Sequence, residues 1–433
     1  MVRKSMIRLV CAFIALVFSA SLAFGQQKTQ LPRQNPYLKP TKSLAPGAEA
    51  SVKSNAASST LSNNNSNKSS AMLPLFNYDV TSSRDGNTYD GTIVGRSPFT
   101  NAFGYTAVPA QIVPVIIVTN SVFAGVDASG NVVTAPGVTT FNPSVADDSC
   151  LTAPNDVPLK LVQQSPIYNS ADFNYGGTDL GTTETTDAFQ RANFFKLLNF
   201  GNGSDDDNVF YHVLLSPVKT VSAIIINIPA ALGVAYPSAV FGGCPTGKEA
   251  IIDVNAYETP LFNAISGVLG GQGVNAGTFP MFVTHNVVEC EGPDCGSLAP
   301  GTGCCILGFH DSSGQQTIGT ADFDTSAIFV SPVPDVSDMS HEVAEWMNDP
   351  FGNNPVPAWG HIGQQGGCQT NLEVGDPLSG TLAPPIYSPR NGFTYHLQEL
   401  AFFSWFYGAP SVGIHGWFSD NGTFLQDAGP VCQ

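Results

Sequence analysis

The chain has 433 residues, with 17 Lys and Arg against 34 Asp and Glu, for a formal net charge of −17. Nine of the 17 basic residues but only one acid, Glu49, fall in residues 1–72, so residues 73–433 carry eight basic against 33 acidic residues, a formal net of −25. So acidic a body argues against nucleic acid as a partner, because phosphate binding needs a basic surface, and it suits cations instead.

The N-terminus reads as a secretory signal over residues 1–25. Arg3, Lys4 and Arg8 precede the apolar run Leu9 to Phe18, and Ala23-Phe24-Gly25 offers a cleavage site. Cys11 lies too early for lipid attachment. No later stretch approaches the roughly 20 apolar residues that a membrane-spanning helix needs. Residues 26–72 are expected to be a disordered tether, opened by Pro32, Pro36, Pro40 and Pro46 and continued in Ser and Asn, because such a composition buries too little apolar surface to offset its ordering entropy. Export makes disulfides the expected state of the eight cysteines beyond Cys11. Cys290 and Cys295, with Cys304-Cys305 after them, lack the C-x2-C spacing of a zinc ribbon.

Residues 73–180 are rich in Thr, Val, Asn and Gly and read as β-structure. The run from Gln111 to Val118 is a strand that Pro114 demotes to an edge or a bulge, and the turn-formers 127–131 predict a hairpin. Residues 181–433 read as α+β, and the two regions can be one continuous domain. A helix is expected over 185–198, capped by Thr186 or Asp187, then strands over 209–215 and 221–228. A second helix is expected from about 250 to 269, with a break near Pro260. Strands follow over 279–288 and 327–330. The next helix starts at Asp335, Ser337 or Asp338 and is stopped by Pro350, and 397–406 is an apolar helix or buried strand.

That last complete helix carries the chemistry. His341 and Glu345 stand four residues apart, on one helix face, with Glu342 beside them, so one cation is within reach of both. Catalytic zinc takes three protein ligands and keeps an open position. The third comes most simply from Asn371-Leu372-Glu373-Val374-Gly375-Asp376, with Glu373 preferred to Asp376 and His361 behind both. Asp349, two turns after His341, is an outer partner or a helix-end ligand. His310 is a ligand or catalytic partner or, as the favoured reading, a satisfied structural histidine, and Tyr387, Tyr395 and His396 are candidate oxyanion donors. The bland alternative is a solvated helix face, with Val343, Trp346 and Met347 turned to the core. Residues 242–249 fit G-x-x-x-x-G-K, but Glu249 replaces the magnesium-binding Ser or Thr, and no G-x-S-x-G elbow exists.

The segment from Asp338 to Asp376 resembles the active helix of zincin-type metallopeptidases, with Glu345 where the second His of H-E-x-x-H stands. The resemblance implies a zincin-like mixed sheet with an active-site helix and a zinc ion on His341, Glu345 and Glu373 or Asp376. It also implies Glu342 as general base in hydrolysing peptides. A carboxylate in place of a neutral imidazole makes the metal less electrophilic, so a structural zinc, manganese or calcium ion stands as the alternative. A fainter likeness, carried by Cys305-Ile306-Leu307-Gly308-Phe309-His310 and Asn348-Asp349-Pro350-Phe351-Gly352-Asn353, is to exordium-like phosphate-induced secreted proteins and their bacterial relatives. It implies a secreted, wall-associated role. Two functions are therefore expected: a secreted metal-dependent hydrolase acting on peptides, or a non-catalytic binding protein for a cell-surface or wall polymer, with a structural metal or none.

Overall fold

Three strands, β1 (Leu38–Pro40), β2 (Leu75–Thr81) and β3 (Thr88–Val94), form a small antiparallel sheet. The computed structural model describes residues 38–40, 72–99, 104–129, 131–146, 156–198, 211–291, 304–329, 333–360, 368–429 and 432. The signal segment, most of the tether, Cys11, Cys150, Cys295 and His361 lie outside them. Strand β1 falls inside the expected tether, which therefore lends its backbone to a sheet edge, and Pro40 occupies its last position, where a proline is tolerated.

An eleven-stranded mixed sheet organises the rest. Its axis is β4 (Gly104–Val126), a strand of 23 residues. Strand β5 (Val132–Phe141) folds back on it through the expected hairpin, where Asp127 Oδ1 accepts the N–H groups of Ser129 and Asn131. A separate hairpin, β6 (Ala171–Tyr175) and β7 (Thr178–Thr183), intervenes. The sheet then adds β8 (Tyr211–Thr220), β9 (Ile224–Ile228), β10 (Gly233–Pro237), β11 (Lys248–Asp253), β12 (Phe279–His285), β13 (Val287–Cys290), β14 (Cys304–Ile306), β15 (Gly308–Ser313) and β16 (Gln316–Phe323). Its main path runs β14-β13-β11-β10-β4-β12-β16-β15, with β5, β8 and β9 also paired to β4.

Pro114 does not push its strand to an edge. On one side β4 pairs with β12 through Val283 and Pro114. On the other, β8 pairs only as far as Ile112 and β9 starts at Val115. The proline sits in the gap between two partners, where its missing N–H leaves no ladder bond unmade. Strand β12 is buried along its whole length. Its alternation feeds two cores, Met281 and Val283 on the side of the His341 helix and Phe282 on the side of Val113, Val115 and Ile117.

Other boundaries shift for local reasons. The expected helix over 250–269 begins instead as β11, since Ala250, Ile251 and Ile252 fill the sheet core; Asp253 then caps α3 (Val254–Ala264) by accepting Ala256 N–H at 3.0 Å. A positive φ of 54° at Asn286 divides the expected strand 279–288 into β12 and β13. Residues 327–329 are not a strand, and Ala327 has a φ of 56°. Helix α1 (Pro158–Gln164) has no counterpart among the expected elements. Only Phe403–Tyr407 of the last apolar run is helical, and we label it α5.

Helix α4 (Ser337–Asn348) carries the His341 motif, and all of it is buried, so the solvated-face alternative does not hold. Its N-cap is Val336, with no side-chain cap. Trp346 stacks on Phe279 of β12 at 3.8 Å and donates to Thr317 Oγ1 of β16 at 2.9 Å, which fixes the rotation of the helix about its axis. Gly308 lets β15 approach from the other side: a Cβ there would lie 2.8 Å from Glu342 Cγ and 2.7 Å from the Thr320 carbonyl. Cys368 is disulfide-bonded to Cys432, and Cys244, Cys290 and Cys305 are disulfide-bonded as well.

Helix α2 (Thr185–Asn193) is capped neither by Thr186 nor by Asp187. Its N-cap is Glu184, whose side chain turns away to accept Leu215 N–H at 2.7 Å. Burial, with help from Asp187, pushes the Glu184 carboxyl up to about 8 despite that bond. Folding thus raises this pKa above the unfolded value near 4.5, so the folded state holds the extra proton and its stability falls as pH rises from about 4.5 to 8. Glu184→Gln removes that titration. Its urea midpoint relative to the unaltered protein should climb steadily over this pH range, and a pH-independent difference would contradict the assignment.

Candidate metal centre

Helix α4 has two chemically opposed faces. Met339, Val343, Trp346 and Met347 enter the core, while Asp338, His341, Glu342 and Glu345 recur at helical spacing on the other side. That second face opens onto a cavity of about 600 Å³. Strand β15 lines it with Gly308, Phe309 and His310, and the loop after β18 (Cys368–Asn371) adds Glu373 and Asp376. This β18 pairs with β17 (Pro355–Gly360).

All five residues expected at the site, His341, Glu342, Glu345, Glu373 and Asp376, line this one cavity. Four of them, all but Glu342, form two groups together with His310, the ligand atoms of each lying within 4.8 Å of one another: His341, Glu345 and Asp376, and His310, Glu345 and Glu373. His341 Nε2 is 3.0 Å from Glu345 Oε1 and 3.5 Å from Asp376 Oδ1. Donors about 2.0–2.2 Å from a tetrahedral ion are roughly 3.3–3.6 Å apart, so the 3.5 Å pair already has that spacing, while the 3.0 Å pair is at hydrogen-bond distance and would open by a few tenths of an ångström around a shared cation. The residue that completes the His341 group is Asp376, and Glu373 instead faces His310 Nε2 at 3.9 Å.

Local structure orients each group. Gln398 Nε2 donates to the Gly375 carbonyl at 2.7 Å, which turns Gln398 Oε1 to His341 Nδ1 at 3.0 Å. An amide oxygen can only accept, so Nδ1 carries the proton and Nε2 is aimed at the carboxylates, the arrangement a metal-ligating imidazole takes. Glu345 Oε1 accepts the backbone N–H groups of Gly375 and Asp376 at 3.0 and 3.2 Å. These bonds tie the acidic loop to the helix. Gly375 is required for the approach, since a Cβ there would lie 2.5 Å from the His341 ring. Gln369 Nε2 holds Asp376 Oδ2 at 3.1 Å.

The electrostatics are those of too many acids in too little water. Burial alone would lower the His341 and His310 imidazoles, yet the surrounding carboxylates raise both well above the ordinary value. Glu345 is held far below its usual range: burial opposes this, and the two imidazoles override it. Burial pushes Glu342 and Glu373 upward and takes Asp376 up to about 7. His310 Nε2, Glu342 Oε2, Glu373 Oε2 and Asp338 Oδ2 are buried without a hydrogen-bond partner. A cation bound between them could satisfy such atoms.

Several expectations end elsewhere. His310 is not a satisfied structural histidine. Asp349 closes the end of α4 by accepting the N–H groups of Asn353 and Asn354 at 2.9 and 2.8 Å. Tyr387, Tyr395 and His396 do not line the cavity. Tyr395 donates to the Leu161 carbonyl at 2.8 Å, and His396 pairs with Asp335 at 2.6 Å. In the G-x-x-x-x-G-K segment, Cys244 is disulfide-bonded and Glu249 is buried in β11. No protein-family model, curated protein or solved structure matches the chain.

Gln398→Leu should leave His341 free to rotate and to change tautomer. Zinc affinity, read by competition with a chromophoric chelator, should fall roughly 10–100-fold with the circular dichroism spectrum unchanged. An unaltered affinity would show that Gln398 does not orient the site.

Proposed function

We propose that this protein is a secreted, metal-dependent hydrolase with a zincin-like site that cuts peptides. The observation that carries the reading is the meeting of His341 Nε2, Glu345 Oε1 and Asp376 Oδ1 at the wall of an open cavity, with Glu342 beside them. His341, Glu345 and Asp376 would hold a divalent cation, zinc being the first candidate for a mixed nitrogen and oxygen set. Such an ion supplies Lewis acidity to a carbonyl oxygen and to water.

The chain's own residues supply the rest. Glu342 presents an unpartnered carboxylate oxygen, and its other oxygen is 3.9 Å from His341 Nε2. Burial raises its pKa, and a base poised nearer neutrality both takes a proton from water and returns it to a leaving amine more readily. Gln398 keeps His341 in register, and the Gly375 and Asp376 amides keep Glu345 in place. A peptide is the substrate best suited to the walls. Strand β15 ends the strand order beside the cavity, and its outer edge pairs with no other strand among the described residues. An extended chain can lie along such an edge.

A second reading rests on the same geometry: two carboxylates and one imidazole make a less electrophilic ion than imidazole-rich sets do. The protein would then be a secreted binding protein for a surface or wall polymer, with the ion holding α4 to its loop. Glu342→Gln separates the two. On the hydrolase reading, turnover of a fluorogenic peptide library falls at least about 100-fold while metal content stays the same. A metal-loaded protein inert towards every peptide tested favours the binding protein, and His341→Ala with undiminished metal content defeats both forms of the site.

A further inference from the structure

We infer that the cavity holds two cations rather than one, bridged by the Glu345 carboxylate. This rests on the metal-site reading above and extends it to a set of residues that reading does not use. The two oxygens of Glu345 face opposite ways. Oε1 is 3.0 Å from His341 Nε2, and Oε2 is 3.6 Å from His310 Nδ1. Each oxygen thereby joins its own potential ligand group, Asp376 completing the first and Glu373 the second.

The second group shows its own need for an ion. The His310 side chain is only 5% exposed, yet its Nε2 has no partner, and neither has Glu373 Oε2 opposite. They are 3.9 Å apart, too far for a hydrogen bond and within the reach of a cation about 2.0–2.2 Å from each. Glu342 Oε2, also buried and unpartnered, lies 3.7 Å from His310 Nδ1. Without a cation here, the buried carboxylates of Glu342, Glu345 and Glu373 would share one imidazole. A carboxylate between two imidazole-bearing sets is the arrangement by which paired ions are held a few ångströms apart, where both can act on one substrate oxygen. The composition, one imidazole and otherwise carboxylate oxygen on each side, suits zinc or manganese.

Chelator-stripped full-length protein titrated with zinc against a chromophoric competitor should take up about two ions per chain, and manganese loading should give the spin-coupled electron paramagnetic resonance signal of a close pair. His310→Ala should lower the count to about one and leave an isolated-ion spectrum, as should Glu373→Gln, which keeps the fold should the histidine variant lose it. Glu345→Ala should weaken both ions, because it supplies an oxygen to each. One ion in both the unaltered protein and His310→Ala, with no spin coupling, overturns the pair and leaves the single-ion hydrolase standing. No ion in the unaltered protein overturns both.

Discussion

The fold is organised around a helix whose charged face points inward. Helix α4 is buried from end to end, with Trp346 fixing one side against β12 and β16 and His341, Glu342 and Glu345 turned to a cavity on the other. Each charge taken out of water costs several kcal/mol after relaxation, and mutual attraction repays this only where partners are well placed. Two imidazoles do not suffice for the acids gathered here, and one oxygen each of Glu342 and Glu373 is left without a partner. A divalent cation shared by these side chains would offset part of that cost. On the proposed reading, a cation would be as much a part of the architecture as of the chemistry.

Rigid elements and close approaches keep that arrangement in place. His310 comes from a strand paired along its length with β16, and Gly308 brings that strand against Glu342. The acidic loop is tied down by two backbone bonds to Glu345 and by Gln398, which grips the Gly375 carbonyl and the His341 ring together. Glu345 thus joins three jobs: it clasps the loop, faces His341 and faces His310. A histidine at that position could not accept two backbone N–H groups while keeping both of its nitrogens on neighbours. The departure from H-E-x-x-H has a structural use.

Much of the site was legible in the sequence because helical spacing is a local property. His341, Glu342 and Glu345 are three and four residues apart or adjacent, and their shared face follows from that alone. Asp338, three residues before His341, extends the same polar stripe and could have been found by the same rule. Glu373 and Asp376 were recognisable as acids beside a glycine, but which of them faces His341 depends on how the loop returns to the helix. His310 was open as a ligand but could not be told from a structural histidine, and Gln398 was not legible as a partner. They reach the site from a strand and from an apolar run distant in the chain, and no local pattern marks a lone polar residue in such company. The strand errors have the same origin: Pro114 reads as a breaker until its neighbours are known, and Ala250 to Ile252 fit a helix or a buried strand equally well until the sheet claims them.

The claim that a cation completes this interior is tested most directly by anomalous diffraction from crystals of the zinc-loaded protein, recorded on both sides of the zinc edge. An anomalous peak is expected about 2.0–2.2 Å from His341 Nε2, with Glu345 and Asp376 turned to it. A cavity without anomalous density, in which Glu345 keeps only its backbone partners at saturating zinc, would contradict it.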